Sequence, residues 1–271
     1  DSNLVYQFHY YCWSTPTKLN DINQYLEHRK RLGAPIWGGE TGEKDDVIYW
    51  GTTDYFEENN VGWSFWPWKK MDARNAPYSV KRPQNWGAIM AYSRRNGAQK
   101  PPPEEAQKAF DELLQNIRLE NCVFYPDVVN ALFRRVPGKV EAENYGHEGL
   151  NVSYFVKDTS TNSKYYRTSE PVPVEPVEPS GQAIQLSADE WTAYTVNSVA
   201  AKTYALTVKA RAESGPAVIQ TFVNGVSEEM TVDDTNWTEL KFKPVSLSTG
   251  TNQVKLSVTS GLVGIDWVGF Q

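Results

Sequence analysis

The hydrophobic pattern changes period once along the chain, near residue 138, and this change limits the possible folds more than any other feature. Before it, strand-like and helix-like runs alternate. Residues 4–11 are rich in β-branched and aromatic side chains and read as a buried strand. Residues 18–32 read as a helix, with Leu19, Ile22 and Leu26 at helical spacing and Gly33 as its stop. A strand over 34–39, a helix over 45–59 and a strand over 61–66 follow. A long loop with Pro77, Arg82 and Pro83 leads to a helix over 84–96. Three strand–helix units in succession predict parallel strands joined by right-handed crossovers. Pro101, Pro102 and Pro103 open another helix over 104–118, a short helix is expected over 126–135, and residues 136–139 read as a joint. Beyond it come short strands separated by turn residues, over 194–196, 204–210, 218–223, 239–242, 254–258 and 265–270. That spacing predicts a jelly-roll-like β-sandwich. The proline-dense run 171–179 is expected to be an extended loop. The expected domains are 1–137 and 138–271.

At 271 residues the chain has room for two domains of ~100–200 residues each. A net charge of −6 disfavours a nucleic-acid partner, and no apolar run approaches the ~20 residues of a membrane span. Asp1, Ser2 and Asn3 are not the basic start of a signal peptide, so any such peptide is expected to be gone. With only Cys12 and Cys122, a disulfide scaffold and a cysteine zinc cluster are excluded, while pairing of the two stays open. His9, His28 and His147 are too scattered for a histidine zinc site. Aromatic residues make up 13% of the chain, which suits either a large core or the stacking platforms of a sugar site. Position has to decide between them.

The three predicted strands end in reactive groups: His9 and Tyr11, then Glu40, then Trp66, with Trp13 and Trp68 close by in sequence. A carboxylate ringed by Tyr, His and Trp suits glycoside hydrolysis. The carboxylate attacks the anomeric carbon, a tyrosine hydroxyl holds it, and an indole stacks under the sugar ring. Residues 8–11, 35–42 and 62–70 resemble the last three strands of glycoside hydrolase family 5. The resemblance covers about residues 4–135 and implies part of a (β/α)8 barrel, here half or less of one. It implies Glu40 as the nucleophile of a retaining β-glycosidase, Tyr11 and His9 as its partners, and Trp66 as the sugar platform, with Trp68 and Trp13 as further candidate platforms. A full barrel needs eight strands and about 250 residues. The family's acid/base glutamate has no counterpart in this sequence. Either a missing barrel half or a homodimer is therefore expected to complete the sheet.

Residues 140–145, 166–168, 190–196 and 264–270 resemble a family 6 carbohydrate-binding module, over about 139–271. That resemblance implies a β-sandwich with a structural calcium. Glu141, Glu143 and Asp266 fall on its ligand positions; surface carboxylates without a metal are the alternative. Trp237 is the candidate sugar-stacking residue, although Gln185 and Gly264 replace groups that the family's sugar cleft ordinarily uses. The expected function is a secreted, extracellular β-glycosidase acting on β-1,4-glucan or a related plant polysaccharide. The alternative is a non-catalytic carbohydrate-binding protein derived from such an enzyme.

Overall fold

The computed structural model describes residues 3–11, 21–94, 98–164, 166–177 and 181–271, with the side chain of Val47 excepted. Cys12 and Trp13 fall outside the described residues, so the expectations placed on them are not addressed. Cys122 is a free thiol whose Sγ donates to the Arg118 carbonyl at 3.3 Å.

The first segment runs β1 (Tyr6–His9), α1 (Asn23–Leu32), β2 (Ile36–Gly42), α2 (Asp46–Glu58), β3 (Gly62–Trp66), β4 (Lys69–Met71), β5 (Tyr78–Val80), α3 (Trp86–Ser93), α4 (Pro103–Asn116), β6 (Val123–Phe124) and α5 (Pro126–Leu132). β1, β2 and β3 form a parallel sheet in that order. Gly33 ends α1 with φ of 60°, a left-handed conformation that glycine adopts without a Cβ penalty. Asp45 caps α2 by accepting from the Ile48 N–H at 3.3 Å. One face of the sheet packs on the helices. Phe8 stacks on Tyr25 at 4.0 Å and meets Phe56 edge-on at 5.9 Å. Ile48, Trp50 and Phe56 of α2 are buried, as are Val128, Ala131 and Leu132 of α5. The opposite sheet face is bare: Val5 is 55% and Trp37 40% exposed.

Among the described residues the parallel sheet stops at three strands and does not close into a barrel. The chain leaves β3 for a separate small sheet of β4, β5 and β6, which the sequence had suggested only as loop. These strands are two or three residues long, too short to show a period.

The rest of the chain is β7 (Arg135–Val136), β8 (Gly138–Glu141), β9 (Tyr154–Phe155), β10 (Val174–Pro176), β11 (Gln182–Ser187), β12 (Trp191–Ser198), β13 (Lys202–Ala212), β14 (Ala217–Val223), β15 (Val226–Val232), β16 (Thr238–Leu247), β17 (Gly250–Ser260) and β18 (Leu262–Phe270). One sheet has the order β10-β11-β18-β13-β16, with β8 also on β18. The other has the order β15-β14-β17-β12-β7, with β9 also on β12. Strict alternation builds the core between them: Thr192, Tyr194 and Val196 of β12 point inward, as do Leu206, Val208 and Ala210 of β13. The mostly β architecture follows from this half.

Two expectations need correction. Of residues 136–139, read as a joint, all but Pro137 lie in strands: β7 pairs in parallel with β12, and β8 pairs with β18. The proline-dense run is not all loop either, because Val174–Pro176 form β10. β10 is an edge strand, where a residue without an N–H leaves no ladder bond unmade.

Candidate functional site

The bare face of the parallel sheet gathers the residues singled out from the sequence. Between Phe8 and His9 the pairing of β1 with β2 slips by one, so His9 lies opposite Glu40 instead of Gly39. Paired residues of parallel strands share a face, and the slip brings the Glu40 side chain over to the side of His9. Tyr11 Oη donates to Glu40 Oε2 at 2.6 Å, and His9 Nδ1 lies 3.3 Å from the same oxygen. Gln7 Nε2 meets His9 Nε2 at 2.9 Å and sets the far side of the imidazole. Burial and the bond to Glu40 push the Tyr11 hydroxyl above its usual range, so it stays protonated and continues to donate. Glu40 keeps 30% of its side chain exposed and faces solvent between these partners.

Gly39 makes this arrangement possible. A Cβ there would fall 2.1 Å from Gln7 Nε2. Gly39→Ala should therefore displace the exposed Gln7 side chain and free the His9 ring, at a cost within about 0.5 kcal/mol because Gln7 can swing into solvent. Urea unfolding measures the cost, and the nitrogen shifts of His9 report the ring. An unchanged ring environment would show that Gln7 does not position it.

Trp66 is 51% and Trp68 46% exposed, and Gly42 opposite Trp66 in the ladder brings the end of β3 beside the end of β2. Trp63 is not part of this surface: it packs on Phe133, and its Nε1 donates to Glu57 at 3.2 Å. Glu43, whose charge Tyr11 feels, is turned to Lys70 at 2.5 Å. Among the described residues, no second carboxylate is bonded to the Glu40 cluster.

The metal candidates lie where β8 meets β18. Glu143 is 1% exposed and its Oε2 has no partner. Burial first, then the nearby charge of Glu141, pushes the Glu143 carboxyl well above its usual range. Glu141 is pushed up to about 7 by burial and by Asp266. An orphaned buried carboxylate beside a second one is the chemistry that a hard cation satisfies, so these two residues fit calcium. Asp266 lies beside them with its Oδ2 paired to Lys209 Nζ at 2.7 Å.

Trp237 is half-buried and has a guanidinium over its ring. Arg211 lies 4.7 Å from its centroid, and Arg211 pairs with Glu175 and Glu213, each at 2.7 Å. Glu175 in turn accepts from Gln185 at 3.0 Å. An ion-pair network thus fills the neighbourhood of Gln185 and Trp237.

A second cluster joins α2 to the loop after β8. Asp54, Glu58 and His147 bring one ligand atom each within 4.8 Å of one another and could hold a metal ion. Arg134 Nε already lies 3.1 Å from Asp54, and burial together with Arg167 and Arg134 keeps His147 well below its usual pKa. Only the i,i+4 spacing of Asp54 and Glu58 was visible in the sequence. Nothing local marks His147 as their neighbour.

No protein-family model matches the chain, and no curated protein matches its sequence. Several solved carbohydrate-binding modules are similar in structure. The C-terminal CBM6 of LamC, a marine laminarinase from Zobellia galactanivorans, is 20% identical, with a TM-score of 0.38, 49% of this chain covered and 97% of that one. CsCBM6-3 from Clostridium stercorarium, solved with cellobiose, is 16% identical, with a TM-score of 0.37, 51% of this chain covered and 95% of that one. A CBM36 module solved with calcium and xylotriose is 18% identical, with a TM-score of 0.35, 49% of this chain covered and 98% of that one.

Proposed function

We propose that this chain is an extracellular carbohydrate-binding protein that grips a β-linked polysaccharide on the bare face of its parallel sheet. The observation that carries the reading is the Tyr11–Glu40–His9 cluster on a sheet whose strands also carry the exposed rings of Trp37 and Trp66, with exposed Trp68 just beyond β3. Hydroxyls of a sugar can donate to Glu40, while the apolar face of a pyranose stacks on indole. In this reading residues 1–137 are the last three βα units of a family 5 barrel and residues 138–271 are a family 6 type module. The module's calcium is held by Glu141 and Glu143, where it neutralises the buried Glu143 carboxylate beside the half-buried Glu141.

The 2.6 Å bond from Tyr11 to Glu40 favours a second reading, a retaining glycosidase. Glu40 would be the nucleophile and Tyr11 its orienting donor. A second carboxyl about 5–5.5 Å away is required to protonate the leaving group. A second copy of this chain, or the remaining strands of a barrel seated on the bare face, would have to supply it.

Binding and turnover on soluble β-1,4-glucan separate the two. For a binding protein, Trp66→Ala with Trp68→Ala should weaken affinity by roughly tenfold or more, since each stacking contact contributes about 0.5–1.5 kcal/mol beyond area burial. No reducing ends should form. For an enzyme, reducing ends appear and Glu40→Ala removes them. Unchanged affinity in the double tryptophan variant would sink the platform assignment.

A further inference from the structure

We propose that the sandwich carries a cleft for a single saccharide unit at its β10 edge, lined by neither Glu40 nor Trp237; this inference rests on the carbohydrate-binding reading. A cavity of about 310 Å³ opens there between the loop after β9 and the start of β10. It lies at the small end of the range for ligand pockets, which suits one ring and not a chain.

Its two walls differ in chemistry. Pro171 and Pro173 offer apolar ring edges, while Asp158, Asn162, Ser163 and Glu190 offer carboxylate, amide and hydroxyl groups. A pyranose has the same division, with C–H groups on its faces and hydroxyls at its rim. Ser163 is 7% exposed and its Oγ has no hydrogen-bond partner. A buried hydroxyl left unpaired is costly, and a ligand hydroxyl entering the cavity would satisfy it. The polar wall is already fixed in place. Glu190 accepts from the N–H groups of Lys157 at 2.8 Å and Ser187 at 2.7 Å. Asp158 accepts from the N–H of Ser160 at 2.8 Å, and the Ser163 N–H donates to the Glu170 carbonyl at 2.7 Å. Asp158 and Glu190 accept from hydroxyls while Lys164, also on the lining, donates to them, so the wall carries both signs and suits a neutral polyol. Among the described residues no aromatic ring lines the cleft.

Amide chemical-shift mapping of the full chain tests this, with methyl β-D-glucoside, methyl β-D-xyloside and methyl β-D-mannoside as probes. At least one glycoside should give saturable shifts centred on Asn162 and Ser163. Ser163→Val should weaken that binding roughly tenfold, because the hydroxyl and its new partner are lost together. Trp66→Ala should leave it unchanged, so that failure of the tryptophan surface and failure of this cleft are read separately. If Ser163→Val does not melt like the parent, Asn162→Ala, on the exposed part of the loop, takes its place. The absence of saturable shifts with all three glycosides, equal affinity in the variant, or the same shifts with sodium acetate would each overturn the proposal.

Discussion

Adding calcium to the metal-free chain is expected to raise its melting temperature by roughly ten degrees. A ligand at a thousand times its Kd contributes about 4 kcal/mol, and each kcal/mol moves a chain of this size by about 2–4 °C. The effect should be large here because Glu143 is buried with an oxygen that bonds to nothing, next to Glu141. Without a cation the fold must carry both groups uncompensated or protonated. Glu143→Ala should therefore abolish the calcium response while melting no lower than the metal-free parent. Magnesium should not substitute, since it keeps its waters and demands a tighter octahedral shell. Scanning calorimetry with and without calcium measures both. An equal calcium shift in Glu143→Ala would place the metal elsewhere, and the absence of any shift in the parent would remove it.

Phe56→Ala is expected to cost about 3–5 kcal/mol, the usual cost of emptying a large aromatic site in a core. Phe56 is fully buried and meets Phe8 of β1 at 5.9 Å and Tyr10 just after it at 6.2 Å between ring centres. A Cβ on Gly38 would also lie 3.4 Å from its ring, so β2 rests on it as well. The side chain thus holds the two strands whose offset places His9 against Glu40. Loss of glucan affinity should accompany the loss of stability. Phe222→Ala serves as the control: that ring is 44% exposed, and its removal should stay within about 0.5 kcal/mol. Urea unfolding that finds the two variants equally stable would show that Phe56 is not the keystone of the sheet.

Much of the scaffold was legible from periodicity and punctuation. Gly33 stops α1 and Asp45 starts α2 through backbone chemistry that the sequence states locally. The association of Tyr11, His9 and Glu40 was legible because their strands are adjacent and parallel. What could not be read depends on register and on distant partners. Whether Trp63 or Trp66 faces solvent depends on the slips between β2 and its neighbours, which leave no mark in composition. Trp237 was legible as an aromatic, but not that Arg211 lies over its ring, steered by Glu175 from the proline-dense run. Asp266 looked like a metal ligand beside the two glutamates, yet Lys209 claims one of its oxygens. Each of these outcomes needs segments that meet only after the sheets have formed.

The strand Arg135–Val136 bears on how this protein can be taken apart. It belongs by sequence to the first segment and by hydrogen bonding to the sandwich. The N–H of Asn197 donates to the Arg134 carbonyl at 2.7 Å, and its side chain donates to the Phe133 carbonyl at 3.0 Å. A sandwich excised at Pro137 would leave those groups of Asn197 without partners and open a fresh sheet edge to self-association. One excised from about Phe133 onward keeps its own border. The two segments are spliced through a shared strand and not strung on a tether, so under the proposed function a glycan on the Glu40 face would meet the sandwich at one fixed angle.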